Sequence, residues 1–98
     1  MIRNFDNKTA TEIWGTDKSK SLPPELWIRA KALLTIMLGT SEINDLKIKG
    51  QPPNIRLHKL KRDRKDERSV TIRLPSCITF KFKYGEFFDV KIENYHKG

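Results

Sequence analysis

This sequence of 98 residues has only one cysteine, and it lacks long apolar runs and internal repeats. Its single cysteine cannot form an internal disulfide, which predicts a protein of the reducing cytoplasm. No stretch approaches the roughly 18 apolar residues of a membrane-spanning helix, and the opening residues turn polar at once. We therefore expect no membrane partner and no secretory signal. A chain of this length holds one hydrophobic core, so we expect a single domain over residues 1–98.

Positive charge is in excess, with 20 Lys and Arg against 12 Asp and Glu and a net charge of +8. Counterion release attracts so basic a domain to phosphate polymers, and acidic membranes or proteins are further ligands. Charge alone leaves open a basic surface without a dedicated ligand. The densest basic stretch, residues 56–68, contains Arg56, His58, Lys59, Lys61, Arg62, Arg64, Lys65 and Arg68.

The first half of the chain predicts one short strand and two helices. Residues 2–5 alternate apolar and polar side chains, as a strand does. Thr9 and Glu12 have capping-box spacing at the start of a short helix that Gly15 would end. A second helix should begin near the prolines at 23–24 and end at Gly39, because its apolar residues recur with a period near 3.6.

The second half predicts three strands, over residues 69–74, 77–84 and 87–94. Their alternating apolar residues should face the helices, and these are Val70, Ile72, Leu74, Ile78, Phe80, Phe82, Tyr84, Phe88, Val90 and Ile92. The opposite face should be open, polar and basic, a groove in which RNA could lie. The predicted fold is α+β: a small antiparallel sheet with two N-terminal helices packed on one face, in the order β-α-α-β-β-β(-β).

Four short segments follow one another in a distinctive order: Met-Ile-Arg-Asn-Phe at 1–5, Arg-Leu-His-x-Leu-Lys-x-Asp-Arg at 56–64, Cys-Ile-Thr-Phe-x-Phe at 77–82, and Asp-Val with the closing Asn-Tyr-His within 89–96. Together they resemble the RelE/HigB-type toxins of bacterial type II toxin–antitoxin pairs. The likeness is greatest to the HigB branch, the plasmid-maintenance killer proteins.

This resemblance implies a RelE-like fold and a metal-independent endoribonuclease that needs no cofactor. Such an enzyme enters the ribosome, cleaves mRNA in the A site, inhibits translation and arrests growth. The resemblance also implies a helix-turn-helix antitoxin (HigA-like) as partner, through which alone the toxin would contact operator DNA.

Cleaving RNA without a metal needs a group that takes the 2′-hydroxyl proton and cations that stabilise charge on the phosphate. On the resemblance, His96 is an active-site residue with a pKa suited to proton transfer, and Tyr95 offers a ring on which a base can stack. A loose chain end and a core aromatic are the respective alternatives. His58 and Lys61 should contribute from the basic segment, provided that a turn near Leu60 brings them to one side; a solvated basic edge is the alternative.

Arg73 aligns with a basic residue of some relatives, and its alternation favours the open face, so we expect it to stabilise the phosphate. An ordinary solvent-facing arginine is the alternative. The predicted catalytic set is His58, Lys61, Arg73, Tyr95 and His96. The predicted RNA and ribosome contacts are Arg56, Lys59, Arg62, Arg64, Lys65, Arg68, Lys81, Lys83 and Asn94.

The chain departs from the family pattern at two places. Many relatives have Trp-Arg where this chain has Ser76-Cys77, and an acidic residue where it has Asn94. A neutral amide cannot act as a carboxylate base, and Cys77 has neither a second cysteine nor a suitably spaced histidine for a zinc site. A catalytically weakened relative that only binds antitoxin or RNA is therefore the alternative function. A plain RNA-binding module is a weaker one, because no such signature is present.

Overall fold

The computed structural model describes residues 1–43, 45–46, 57–60 and 62–94, without the side chain of Arg62. The strands form one antiparallel sheet in the order β1-β2-β3-β4, so the predicted α+β class is confirmed. The elements are α1 (Lys8–Thr16), a 3₁₀ turn (Pro24–Leu26), α2 (Trp27–Leu38), β1 (His58–Lys59), a second 3₁₀ turn (Arg62–Arg64), β2 (Glu67–Arg73), β3 (Ser76–Lys83) and β4 (Glu86–Asn94).

Helix α1 is capped by Asn7, whose side-chain oxygen accepts a hydrogen bond from a backbone N–H of the first turn. The same amide side chain donates to the carbonyl of Ile92 at 2.9 Å, which ties the start of the helix to β4. The helix ends at a left-handed Asp17 with φ 65°. The predicted cap at Thr9 and the predicted end at Gly15 are therefore wrong, because Asn7, held by β4, caps the start of the helix and the αL residue Asp17 follows its end.

Helix α2 follows the prediction closely. The proline-containing 3₁₀ turn leads into it, and it ends at Gly39. The indole N–H of Trp27 donates to the carbonyls of Ser19 and Leu22, at 2.9 and 2.8 Å. These bonds fix the loop between the helices and satisfy the polar end of a partly buried ring.

The hydrophobic core lies between both helices and one face of the sheet, as the sequence predicted. Phe87 is at its centre, and its ring makes edge-to-face contacts with Phe80 and Phe82 at centroid distances of 5.0 and 4.9 Å. The buried members of the core are Ala10, Ile13, Leu22, Leu26, Ala30, Leu33, Leu34, Met37, Leu46, Val70, Ile72, Ile78, Phe80, Phe87, Val90 and Ile92.

The predicted first strand, residues 2–5, is wrong as a regular strand. The segment runs parallel to β4 and forms two isolated bridges, between Ile2 and Phe87 and between Phe5 and Val90. The element order therefore begins with α1. A bulge in β4 between the two bridge positions breaks the regular ladder that a strand would need.

This bulge lies at Asp89, which has a φ of 52°. The register runs from the pair Thr79–Lys91 to the pair Lys81–Phe88, so β4 has one more residue than β3 in between. Since side chains alternate between the faces, the extra residue moves Phe88 away from the helices. The prediction that Phe88 faces the core is wrong.

Two more residues predicted for the core face are exposed. Tyr84 lies in the two-residue turn between β3 and β4 and is 96% exposed. Leu74 lies in the turn between β2 and β3 and is 60% exposed. In the sequence, both residues continue the apolar alternation of a strand. In the structure, both lie in turns.

Candidate functional site

The sheet face away from the helices is crossed by rows of paired residues. One row contains His58, Ser69, Thr79 and Lys91, one from each strand. The centre of this face is closed, since Ser69 and Thr79 are 0% exposed and Thr71 and Cys77 are also buried. The predicted open, basic groove is therefore wrong at the centre of the sheet.

Arg64 contacts the centre of the sheet face that points away from the helices. It follows β1 in the second 3₁₀ turn, and its guanidinium lies between two carboxylates. Nε and Nη2 donate to the Glu67 carboxylate at 3.0 and 2.9 Å, while Nη1 and Nη2 donate to Glu93 at 3.2 and 2.6 Å. The hydroxyl of Thr79 donates a short hydrogen bond to Glu93. We call Arg64, Glu67, Thr79 and Glu93 the Arg64 cluster.

The charges of the Arg64 cluster stabilise one another. Hydrogen bonds to Glu67 and then to Glu93 raise the pKa of Arg64 above its ordinary value. Burial by itself would raise the pKa of Glu93, but hydrogen bonds from Arg64 and Thr79, with the nearby positive charges, outweigh it and lower that pKa. Glu93 is therefore ionised and fully engaged at neutral pH, which suits a structural role better than proton transfer.

A second charged group, centred on a lysine, lies on the same face near the hairpin between β3 and β4. Lys81 is 3.6 Å from Asp66 and 3.4 Å from Asp89. The charge of Asp66, followed by the hydrogen bond to Asp89, raises the pKa of Lys81. Both Arg64 and Lys81, which the sequence predicts as RNA or ribosome contacts, are thus engaged by carboxylates of the chain itself.

At the opposite end of the sheet, two predicted site residues come together. Arg73 ends β2 and pairs with Ser76, and Ser76 in turn pairs with Asn94 at the end of β4. The Ser76 hydroxyl donates to the Asn94 side-chain oxygen at 3.1 Å. Arg73 is exposed and forms no ion pair with any residue that the structure describes. We call Arg73, Ser76 and Asn94 the Arg73–Asn94 end.

An irregular register between Thr71 and Arg73 breaks the alternation on which the predicted open-face position of Arg73 depended. His58 pairs with Ser69, four positions before Arg73 on β2, and is therefore roughly 13 Å away along the strand. The structure thus brings Arg73 and Asn94 into one row but not His58 with them.

The remaining predicted contacts are dispersed. Lys59, Lys65 and Lys83 are exposed, and Arg68 is half-buried. Arg56, Lys61, Tyr95 and His96 lie outside the described residues, as does the side chain of Arg62. The roles predicted for these residues stay predictions.

Cys77 is a buried free thiol whose Sγ lies 3.6 Å from the carbonyl oxygen of Pro75. This agrees with its interpretation as a small strand residue. Across the described ranges, no group of three His, Cys, Asp or Glu side chains is arranged to hold a metal ion. None of the helices found there is long and apolar enough to cross a bilayer.

Sequence reasoning missed a groove at the β3–β4 hairpin, with a volume of about 280 Å³. Its lining residues are Lys81, Lys83, Tyr84, Phe88 and Asp89. A signal was present in the adjacent pair Phe87-Phe88, because two successive residues of a regular strand cannot both face the core. One of the two had to face outward, and the bulge decides that it is Phe88.

No protein-family model matches the chain, and no curated protein matches it either. The family stays an interpretation of the four sequence segments.

Proposed function

We propose that this chain is the toxin of a bacterial toxin–antitoxin pair, a ribosome-dependent mRNA endoribonuclease of the RelE/HigB type that acts in the cytoplasm. Its partners would be the ribosome with its mRNA and a helix-turn-helix antitoxin. The observation that carries the proposal is the Arg73–Asn94 end, where an exposed guanidinium lies in the same row as the residue that precedes Tyr95 and His96 in the sequence.

Arg73 has the chemistry to stabilise a phosphate during cleavage. Its guanidinium is exposed at a strand end, and a planar guanidinium binds phosphate oxygens in a bidentate manner. Charge stabilisation of this kind is the largest single contribution in many enzymes. The sheet supplies a rigid base for it, because Arg73 is paired to β3 through Ser76.

His96 follows Asn94 by two positions in the sequence. An imidazole titrates near neutral pH and can accept or donate a proton there. Arg73 and His96 together would supply the cation and the proton carrier that metal-independent RNA cleavage needs.

Ribosome dependence fits the sparseness of this site. Among the described residues that form the Arg73–Asn94 end, Arg73 is the one charged side chain, beside the neutral Ser76 and Asn94. A site with so few groups depends on external alignment of the phosphate, which contributes several powers of ten in rate. The exposed Lys59, Lys65 and Lys83 are available for ribosomal RNA.

A catalytically weakened relative that only binds antitoxin or RNA is the second candidate. Two observations favour it: Cys77, where many relatives have an arginine, is a buried thiol, and Arg64 is held between Glu67 and Glu93. Neither residue then offers a cation to the RNA.

Controlled expression in bacteria separates the two candidates. Growth and mRNA 5′ ends should be followed for the natural chain and for His96→Gln, Arg73→Gln and the control Lys20→Gln, which removes an exposed loop charge that is not among the predicted site residues. We expect growth arrest with codon-positioned cuts from the natural chain and the control. Loss of the proton carrier should reduce cleavage by about 10²–10⁴-fold.

Normal growth and intact messages with folded, natural protein would contradict the enzyme and favour the weakened relative. Cleavage of naked RNA at a comparable rate would contradict ribosome dependence alone. Equal cleavage by the natural chain and Arg73→Gln would remove Arg73 from the site.

A further inference from the structure

Tyr84 is presented to solvent by an unusual backbone conformation. It is the first residue of the two-residue turn Tyr84-Gly85, and both residues have positive φ, 54° and 75°. Such hairpin turns favour Asn or Asp at the first position, because a bulky side chain is strained at positive φ. The side chain contributes little to the core in return, since it is 96% exposed. Strain at an exposed aromatic residue points to a function rather than to stability.

Phe88 is presented by a second unusual conformation. The bulge at Asp89, with φ 52°, turns Phe88 to the side away from the core. Asn4 holds this bulge, since its amide donates to the Asp89 carboxylate at 2.9 Å and its oxygen accepts from the Asp89 N–H at 3.0 Å. The bulge is therefore a fixed feature, and it adds a second aromatic ring to the same groove as Tyr84.

Two lysines line this groove, and among the described residues one of them has carboxylate partners and the other has none. Lys81 is engaged by Asp66 and Asp89. Lys83 is exposed and forms no ion pair within the described ranges. Its strand partner Glu86 is instead 3.5 Å from Arg3. Lys83 thus offers an ammonium group beside two aromatic rings.

The tip of the hairpin is also held firmly. A Cβ added to Gly85 would be 3.1 Å from the carbonyl oxygen of Ser41, so the turn packs closely against a residue three positions after the end of α2. The backbone that carries the rings is therefore ordered before a ligand binds, which reduces the entropic cost of binding.

We propose that this hairpin tip is a binding site for single-stranded RNA, in which an unpaired base stacks on Tyr84 and Phe88 and Lys83 contacts a neighbouring phosphate. Stacking on aromatic rings beside a cation is how proteins hold single strands with little sequence preference. The net charge of +8 favours a polyanion over a neutral or basic protein as the occupant of this site. A duplex fits less well, because its bases are already stacked.

This site is distinct from the Arg73–Asn94 end. β3 runs seven positions from Ser76 to Lys83, which is about 23 Å of strand. The inference therefore goes beyond the proposed cleavage and does not require it. An RNA held at both ends of the sheet would be bound more tightly than at either end alone.

Fluorescence anisotropy with a short labelled oligoadenylate and the full chain tests the proposal. We expect Tyr84→Asn and Phe88→Ala each to weaken binding by roughly tenfold, and Tyr84→Trp to retain it. Ile28→Ala is the matched control, because Ile28 is an exposed apolar residue on α2, and it should bind normally. Lys83→Gln should reduce the slope of log affinity against log salt by about 0.7.

Tyr84→Asn also removes misfolding as an explanation, because Asn tolerates positive φ and the variant should be at least as stable as the natural chain. Unchanged oligoadenylate affinity in Tyr84→Asn would overturn the proposal, and so would an equal loss in Ile28→Ala. A face that binds a protein instead of RNA gives the first of these results. Tyr84-dependent binding without any cleavage in cells would contradict the proposed enzyme and leave this site intact.

Discussion

Replacing Arg64 with methionine isolates the energetics of the Arg64 cluster. Methionine keeps most of the side-chain volume and removes the guanidinium, so Glu67 and Glu93 lose four hydrogen bonds between them. The two carboxylates then lie near each other without their shared cation. The variant tests whether the Arg64 cluster contributes to the free energy of unfolding.

The exposure of the three side chains sets the expected magnitude. Removing one partner of a fully buried ion pair costs about 3–5 kcal/mol. Arg64 and Glu93 are each 26% exposed and Glu67 is 10% exposed, so water screens part of the charge. Lys91, 3.7 Å from Glu67, also remains. We expect Arg64→Met to lower the free energy of unfolding by about 2–3 kcal/mol, a large share of the 5–15 kcal/mol of a typical domain.

Urea unfolding followed by tryptophan fluorescence measures this loss. With a slope typical of a small domain, the midpoint should fall by roughly 1–2 M urea. Lys65→Met is the matched control, since Lys65 is an exposed neighbour without an ion pair among the described residues. Its effect should stay within about 0.5 kcal/mol.

The pH dependence gives a second, independent readout. The folded-state pKa of Glu93 is lowered, so its stabilising contribution is present above its unfolded pKa of about 4.3 and is lost as pH falls through the folded value. Arg64→Met removes that contribution, and protonation of Glu93 in acid removes the charge that the variant leaves without its guanidinium partner. The stability difference between the two proteins should therefore shrink below about pH 4. A difference that stays constant from neutral pH to acid, or is absent at neutral pH, would refute the electrostatic argument.

Three further substitutions have definite expected outcomes in the same unfolding assay. Asn7→Ala removes both the cap of α1 and the side-chain hydrogen bonds to β4, and should cost about 2 kcal/mol; a loss below about 0.5 kcal/mol would contradict the double role. Thr79→Val keeps the shape but removes the hydroxyl that donates to Glu93, and should cost about 1–2 kcal/mol, mostly at neutral pH. Tyr84→Asn relieves a positive φ and should raise the free energy of unfolding by about 1 kcal/mol, and destabilisation would show that Tyr84 has a packing role.

Local pattern was sufficient for much of the fold. The period of apolar residues over α2 and the glycine at position 39 predicted that helix and its end, because the helix depends on neighbours three and four positions apart. Three of the four strands were likewise predicted within two residues of their ends. The short β1 was not predicted as a strand, since two residues carry no usable periodicity.

The face that each strand residue occupies was less predictable. Alternation fails wherever one extra residue enters a strand, and nothing local in β4 fixes the bulge at Asp89. Asn4 holds it from 85 positions away. Phe88 was therefore expected in the core, and Tyr84 was expected there because its turn position continues the alternation of the strand. The hairpin groove that both residues line was missed.

The candidate site, too, was predictable from the sequence only in part. The residue types Arg73, Asn94, Tyr95 and His96 are visible in the sequence, and the pairing of β2, β3 and β4 brings the first two into one row. The sequence also shows the basic run around Arg64, but not that the guanidinium of Arg64 is held by Glu93, 29 positions away. Composition counts charges, whereas their mutual neutralisation depends on distances of a few ångströms that only the folded sheet creates.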